Sequence, residues 1–285
     1  MRDIALNWEF VAKAPLRVGA GKELISLKSP VDLSIIRITM GGKSIPYIPG
    51  SSIKGVFRSV SVQLARSRNL KVCDGVGNNT CMTSGKQQGE QLKKAIDEYL
   101  KQGMAYEALK TFEENSCILC KIFGSPGFLS HVYFTDAYPV GEPTTNVRIG
   151  IAIDRKTGAI WKRALYQVEY IEPGARFKAG LHATNLPNYA IGLLVKILRL
   201  INKGYVRIGG FKTRGFGLVG VDNVELTITD PGSNGLKLRS LDKFDSQVDL
   251  EDCASFESGR VIIRGEKAWA CFEKLEDAWE NAKLS

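Results

Sequence analysis

The chain has 285 residues, 44% of them hydrophobic, and a net charge of +9, which is enough apolar content for one large domain or two smaller ones. No run of about 18 apolar residues exists, and the start Met1-Arg2-Asp3-Ile4 lacks the apolar stretch of a secretion signal, so the expectation is a cytoplasmic protein with no membrane partner. A sequence pI near 9.2 points instead to an anionic partner such as nucleic acid.

The first element is a strand: Leu6, Trp8, Phe10 and Ala12 share one face while Asn7, Glu9 and Lys13 occupy the other. Pro15 and Gly19-Ala20-Gly21 interrupt it, residues 24–32 read as a loop, and Ile35, Ile36 and Ile38 resume a strand. The turn-rich run Ile45-Pro46-Tyr47-Ile48-Pro49-Gly50-Ser51-Ser52 supplies serines suited to an N-cap. In the helix that follows, Ile53, Val56, Phe57, Val60 and Leu64 face the core and leave Lys54 and Arg58 stacked one turn apart on another side. Cations in a first helical turn oppose the helix dipole, and an external anion sharing that end resolves the conflict; the alternative is a solvated cationic face.

Residues 67–120 differ in composition and read as an insertion, with Leu92, Ile96, Tyr99, Leu109 and Phe112 giving its helices a narrow apolar side. Its four cysteines pair as Cys73-x7-Cys81 and Cys117-x2-Cys120. Tetrahedral thiolate ligation of a structural Zn2+ is the leading reading for a segment so poor in apolar residues, and disulfides are the alternative. Cys253 and Cys271 are unrelated to that cluster and read as packed thiols.

Residues 132–135 form a strand, and residues 149–172 form two strands around Asp154-Arg155-Lys156-Thr157-Gly158. Between 148 and 178 lie Arg148, Arg155, Lys156, Lys162, Arg163, Arg176 and Lys178, set among Trp161, Tyr166 and Tyr170. Cations interleaved with aromatics follow a phosphate backbone while stacking on bases; a solvated strand face is the alternative. A core helix runs over residues 189–203, and strands over 205–208 and 218–228 flank Gly209-Gly210-Phe211-Lys212-Thr213-Arg214-Gly215-Phe216-Gly217. Four glycines and two cations make this loop either an anion-binding concavity or an ordinary turn. It is neither a Walker loop nor a dinucleotide fingerprint, since Phe216 follows Gly215 and a strand follows the loop. With only His131 and His182 in the chain, schemes built on histidine pairs are limited, and no Ser-His-Asp, Cys-His or GxSxG arrangement is present. Beyond residue 230 a polar stretch leads to a short strand at 261–263 and an amphipathic end around Trp269, Phe272, Leu275 and Trp279.

Four segments in order, Ile48-Pro49-Gly50-Ser51-Ser52-Ile53-Lys54-Gly55, Cys120-Lys121-Ile122-Phe123-Gly124-Ser125, Ile151-Ala152-Ile153-Asp154-Arg155-Lys156-Thr157-Gly158 and the 209–217 loop, resemble the RAMP superfamily of CRISPR-associated proteins. They look most like the repeated backbone subunit, of Csm/Csx type, of type III effector complexes. The resemblance covers residues 5–225. It implies an α+β fold: an RRM-like, ferredoxin-type core (1–66 and 121–230) carrying a thumb hairpin (148–178), an inserted zinc-binding lid (67–120) and, outside the resemblance, a C-terminal accessory segment (231–285).

It further implies head-to-tail copies along a guide crRNA, together with other effector subunits and a target RNA. Lys54, Arg58, Gly209, Gly210, Lys212, Thr213 and Arg214 would grip the guide, and Arg155, Lys156 and Arg163 would lie on the thumb. Sequence would be read by base pairing rather than by protein. Val31-Asp32-Leu33-Ser34-Ile35-Ile36-Arg37 fits the family's cleavage-loop pattern, which makes Asp32 the candidate catalytic residue, with a divalent cation such as Mg2+ or Mn2+ assisting; an alternative register puts Lys28 there and leaves the copy inactive. The competing functions are a purely structural RNA-binding subunit and a precursor-guide-RNA processing endoribonuclease.

Overall fold

The computed structural model describes residues 1–19, 31–75, 77, 79–82 and 87–284, with the side chains of 87–90 and 161–164 outside the description. The Lys28 register and the glycines at 19–21 beyond Gly19 therefore lie outside the described residues. The first half of the chain forms β1 (Asp3–Ala12), β2 (Arg37–Met40), β3 (Lys43–Pro46), α1 (Gly50–Ser67), α2 (Gln87–Lys101), α3 (Ala105–Asn115) and α4 (Ile118–Phe123). Then follow β4 (Val132–Phe134), β5 (Tyr138–Pro139), the hairpin β6 (Thr145–Ile153) and β7 (Ile160–Ile171), β8 (Arg176–Thr184), α5 (Asn188–Asn202) and β9 (Val219–Thr229). The last quarter holds β10 (Lys237–Leu238), β11 (Val248–Asp249), β12 (Ser255–Glu257), β13 (Arg260–Arg264) and α6 (Ala268–Asn281).

The alternation in β1 does what its period requires. Ile4, Leu6, Trp8 and Phe10 are buried, and the strand pairs antiparallel with β8 on one side and β9 on the other. The resulting seven-stranded sheet runs β12-β13-β9-β1-β8-β4, with β5 also on β8. Within it, β1, α1, β4, β8, α5 and β9 make the β-α-β-β-α-β series of a ferredoxin-type core, the α+β architecture expected from the resemblance. Ile53 and Phe57 of α1 and nearly every side chain from Tyr189 to Leu198 of α5 enter one hydrophobic core with the sheet. Because α5 is sandwiched between the sheet and α6, it is apolar around most of its circumference rather than along one stripe.

Three local expectations are corrected. Ser51 and Ser52 do not cap α1, which begins at Gly50 with Pro49 as its N-cap; the fixed φ of proline (−58°) sets the entry, and the Asp136 carboxylate accepts the Gly50 N–H at 2.7 Å. Residues 205–208 form no strand: the Tyr205 and Val206 N–H groups turn back to the Leu200 carbonyl at the end of α5, and Ile208 N–H donates singly to the Gly217 carbonyl. Cys253 and Cys271 are not packed thiols: they form a disulfide. It ties the segment after β11 to α6.

Residues 231–285 are built into the molecule rather than appended to it. β13 extends the sheet beside β9, and Phe272, Leu275 and Trp279 of α6 belong to the same core as β1. One buried ion pair fastens the junction. Arg2, fully buried, donates from Nε to Asp230 at 2.9 Å, from Nη1 to Asn188 Oδ1 at 2.7 Å, and from Nη2 to the Arg239 carbonyl at 2.6 Å. The ends of β1 and β9, the start of α5 and the C-terminal segment thus meet on one guanidinium. Burial pushes the Asp230 carboxyl up, but the Ser233 hydroxyl and Arg2 outweigh it and hold the group below its ordinary value. A carboxylate so depressed contributes stability that is present above its unfolded pKa of about 4 and is lost as pH falls through the lower folded value. Arg2→Met, which leaves Asp230 only Arg239, Ser233 and the Gly232 N–H and strips Asn188 Oδ1 and two carbonyls of a charged donor, is expected to lower stability by about 2–3 kcal/mol in urea unfolding at pH 7, and by less near pH 3; a change under 1 kcal/mol at pH 7 would contradict the role assigned to this pair.

Candidate nucleic-acid interface

A strap of backbone leaving β1 organises this side of the molecule. Its carbonyls accept from the glycine-rich loop: Arg17 O from Gly210 N at 2.8 Å and Pro15 O from Gly217 N at 2.8 Å. Val18 O accepts from Ile36 N at 2.8 Å, and Leu16 exchanges two bonds with Ile171 at the end of β7. The loop itself is not a β-hairpin. Phe211 and Gly215 are left-handed and bracket a single 3-10 turn, Lys212–Arg214. Gly209 has φ +81°, and a Cβ there would overlap the Arg17 carbonyl, so this position requires glycine for both conformation and space.

Between this loop and α1 lies a groove of about 540 Å³ lined by Arg17, Leu33, Ser52, Ser59, Gly210 and Lys212, among others. Two of the sequence motifs, 48–55 and 209–217, therefore share one concavity. Lys212 and Thr213 are exposed at its rim. Arg214 is engaged elsewhere: its Nη1 donates to the Tyr166 hydroxyl at 2.6 Å, and its guanidinium lies 5.1 Å from the Phe211 ring. Lys54 and Arg58 are on the other side of α1, in a second groove of about 500 Å³ with Ser51, Gly124, Ser125, Phe128 and Tyr133. Burial, then repulsion from Arg58, lowers the Lys54 ammonium's pKa, and no carboxylate among the described residues pairs with it, so an anion in this groove would stabilise its charged form.

Asp32 is exposed beside the base of the hairpin, where its Oδ2 accepts the Gln167 N–H at 2.7 Å. Its neighbour Leu33 continues the contact by bridging to Val168, accepting from Glu169 N and donating to Gln167 O, each at 3.0 Å. The nearby Glu169 is fully occupied: it takes both ends of the Arg37 fork at 2.9 and 2.6 Å and the Ile35 N–H at 3.0 Å. Burial would raise its pKa, but those donors together with Arg17 bring it below the ordinary value. Burial also lowers the Arg17 pKa, with Glu169 opposing.

The hairpin's inner face stacks on the loop. Tyr166 lies 6.4 Å from Phe211, and Arg148 sits over both Tyr170 and Phe216, at 5.7 and 5.3 Å. Tyr166 and Tyr170, read from sequence as surfaces for bases, instead fasten the hairpin to the core. Arg155 and Lys156 occupy the exposed turn at the tip, where Asp154 Oδ1 accepts the Lys156 N–H at 2.9 Å. Arg163 is on β7 with its side chain outside the described residues. Sequence reasoning missed Arg17, Phe211 and Phe216 as site-forming residues; Arg17 carries no motif, and only the tertiary fold shows that it underlies the loop.

The four cysteines of the insertion converge. Their sulfurs lie within 4.8 Å of one another, with Cys73 at 3.7 Å from Cys117 and 3.3 Å from Cys120. A Zn–S bond of about 2.3 Å corresponds to tetrahedral S···S edges of about 3.8 Å, so the donor set and spacing fit a closed structural zinc site. The Cys117 N–H donates to Cys81 Sγ at 3.3 Å, as second-sphere donors do at thiolates. The disulfide alternative for these four has no bonded pair in the structure. Around them Met82, Ile96, Ala108 and Phe112 make a second, small core, and Phe128 stacks on Phe112 at 3.8 Å. Purified protein is expected to contain about one zinc per chain by elemental analysis, and Cys117→Ser to lose it along with protection of the insertion from proteolysis; a metal-free wild type with four titratable thiols would refute the assignment.

No helix among the described residues is long and apolar enough to cross a membrane. No curated protein matches the sequence. The family model described as the RAMP superfamily matches residues 9–220, a span that begins at the end of β1 and holds α1, the residues 67–120, the hairpin and the glycine-rich loop, and the chain belongs to that superfamily of CRISPR-associated proteins.

Proposed function

We propose that the chain binds guide crRNA as the repeated backbone subunit of a type III effector complex and cuts the paired target RNA at Asp32. One observation carries this reading: the groove between the glycine-rich loop and α1 has Lys212 on its rim and, on its wall, Leu33, the neighbour of Asp32. A strand held by the loop would pass beside Asp32, a carboxylate without an ion-pair partner among the described residues, whereas the nearby Glu169 belongs to Arg37. The hydroxyls of Ser52 and Ser59 supply hydrogen-bond donors to phosphate oxygens, and Lys212 supplies charge. The guide is read by shape and backbone, and base pairing selects the target.

For cleavage, Asp32 accepts the proton of the target's 2′-hydroxyl; the 2′-oxygen attacks the adjacent phosphorus, the bond to the 5′-oxygen breaks, and the departing 5′-oxygen takes a proton from solvent, leaving a 2′,3′-cyclic phosphate and a 5′-hydroxyl. In-line placement of those atoms falls to the thumb, which would kink the duplex next to Asp32. A divalent cation such as Mg2+ or Mn2+, when bound, would neutralise charge on the phosphorane. Asp32 can offer it one free oxygen, Oδ1, and RNA phosphates would provide further ligands.

The specific alternative, a structural RNA-binding subunit without catalysis, draws on the same contact, because Asp32 also fastens residues 31–33 to β7. Asp32→Asn separates the two roles: the amide oxygen can still accept the Gln167 N–H while the charge is gone. In a reconstituted complex with guide and target, Asp32→Asn is expected to assemble normally and to lose at least about 100-fold in cleavage rate, the scale of a general base. Regular cuts at the wild-type rate would leave only the structural reading. Lys212→Ala is expected to flatten the slope of log affinity against log salt by about 0.7, one single-strand phosphate contact, equally for all guide sequences; an unchanged slope would remove Lys212 from the binding surface.

A further inference from the structure

Arg58 was expected to bind RNA from its helical spacing with Lys54, yet its guanidinium points into the cysteine centre. Nη2 donates to Cys120 Sγ at 3.4 Å and Nη1 to the Gly124 carbonyl at 3.0 Å. Its buried Nε has no hydrogen-bond partner. On the opposite side the chain passes so close at Gly75, two residues beyond Cys73, that a Cβ there would overlap the guanidinium. The group is thus enclosed between the segment that carries Cys73 and the helix that carries Cys117 and Cys120. Among the described residues no carboxylate forms an ion pair with it, which leaves the sulfur as its anionic partner.

We propose that Arg58 is a positioning residue of the four-cysteine centre, holding Cys120 in its ligating orientation and balancing the net negative charge that four thiolates leave on a bound zinc ion. Thiolate ligands need such donors: a hydrogen bond to sulfur fixes its direction and stabilises the deprotonated form against the cation it ligates. Arginine suits the position because its planar fork reaches sulfur and carbonyl together and stays charged when enclosed. The assignment also divides labour along α1. Lys54, one turn earlier in the same groove and without an ion pair to a carboxylate, remains for phosphate, while Arg58 links the helix to the insertion.

The proposal rests on zinc occupying the centre, and the experiment separates the two. Zinc affinity is measured by competition with a chelating dye on wild type, Arg58→Lys, Arg58→Met and Lys54→Met. The cobalt(II)-substituted proteins are compared by their thiolate-to-metal charge-transfer bands, and guide-RNA affinity is titrated against salt in zinc-saturated protein. Arg58→Met is expected to bind zinc about 10- to 100-fold more weakly and to shift the charge-transfer band, with Arg58→Lys between it and wild type. Its salt slope for RNA should match wild type, whereas that of Lys54→Met should flatten. Wild-type zinc affinity and an unshifted band in both Arg58 variants, with a flattened RNA slope, would overturn the proposal and return Arg58 to the phosphate contacts. A wild type that binds neither zinc nor cobalt would instead defeat the metal assignment itself, and the proposal with it.

Discussion

The Arg17 carbonyl and the strap around it are the constraint on which the rest of the binding face depends. Residues 13–18 leave the central strand β1 and hydrogen-bond in turn to the glycine-rich loop, to the segment after Asp32 and to the foot of the hairpin. Each of those three pieces lacks the apolar surface to order itself, and each is fixed because it completes the hydrogen bonding of a strand end anchored in the core. The Arg17 side chain reinforces the backbone: it lies 5.4 Å from the Phe211 ring, and its Nε and Nη2 reach the carbonyls of Leu33 and Ser34, both at 3.4 Å. The glycine-rich loop, the segment after Asp32 and the hairpin are therefore tied to one strap, and on the proposed function this is the preorganisation that a backbone-reading protein needs, because RNA itself is flexible.

Helix α1 is the second organising element, with two working faces. Ser52, Gly55 and Ser59 turn toward the glycine-rich loop, and Lys54 and Arg58 toward the insertion. The insertion buries only a handful of apolar side chains, too few to order about 50 residues by hydrophobic contact alone. On the zinc assignment metal ligation would supply the missing order, and on the role proposed for Arg58 its contact with Cys120 would carry that order to the helix that lines the groove.

Where local periodicity decides structure, the sequence was readable. The face of β1, the core side of α1 and α5, the two-strand hairpin and the convergence of Cys73, Cys81, Cys117 and Cys120 all followed from spacing. Tertiary placement was not readable in the same way. Helical spacing puts Lys54 and Arg58 on one face but cannot say that the face meets a cysteine cluster rather than solvent. The Cys253–Cys271 bond depends on α6 folding back against the turn after β11, a contact between elements that sequence alone left unassigned. The segment 205–208 differs for a related reason, since its backbone bonds go back to Leu200 of α5 and to Gly217 rather than into a ladder, a tertiary choice that local alternation does not encode.

The hairpin shows most directly how one fold surface is divided between stability and function. A two-stranded ribbon is marginal by itself, and this one is stabilised by what each of its faces meets near its base. Arg148, Tyr166 and Tyr170 stack against Phe211, Phe216 and Arg214, and Glu169 clamps Arg37. The face that carries Glu169, opposite the aromatics, also carries Val147, Ile149, Ile151 and Leu165, which are exposed, Ile149 at 64%, with Ile151 and Leu165 directly paired across the strands. Nothing in the chain's own packing requires four aliphatic side chains in solvent. On the proposed function they have a use: a stiff apolar edge, rooted beside Asp32, that can displace a stacked base without offering hydrogen bonds that would favour one base over another. Such an edge separates nucleotides independently of sequence, which is what a subunit must do if base pairing with the guide is to remain the sole reader of the target.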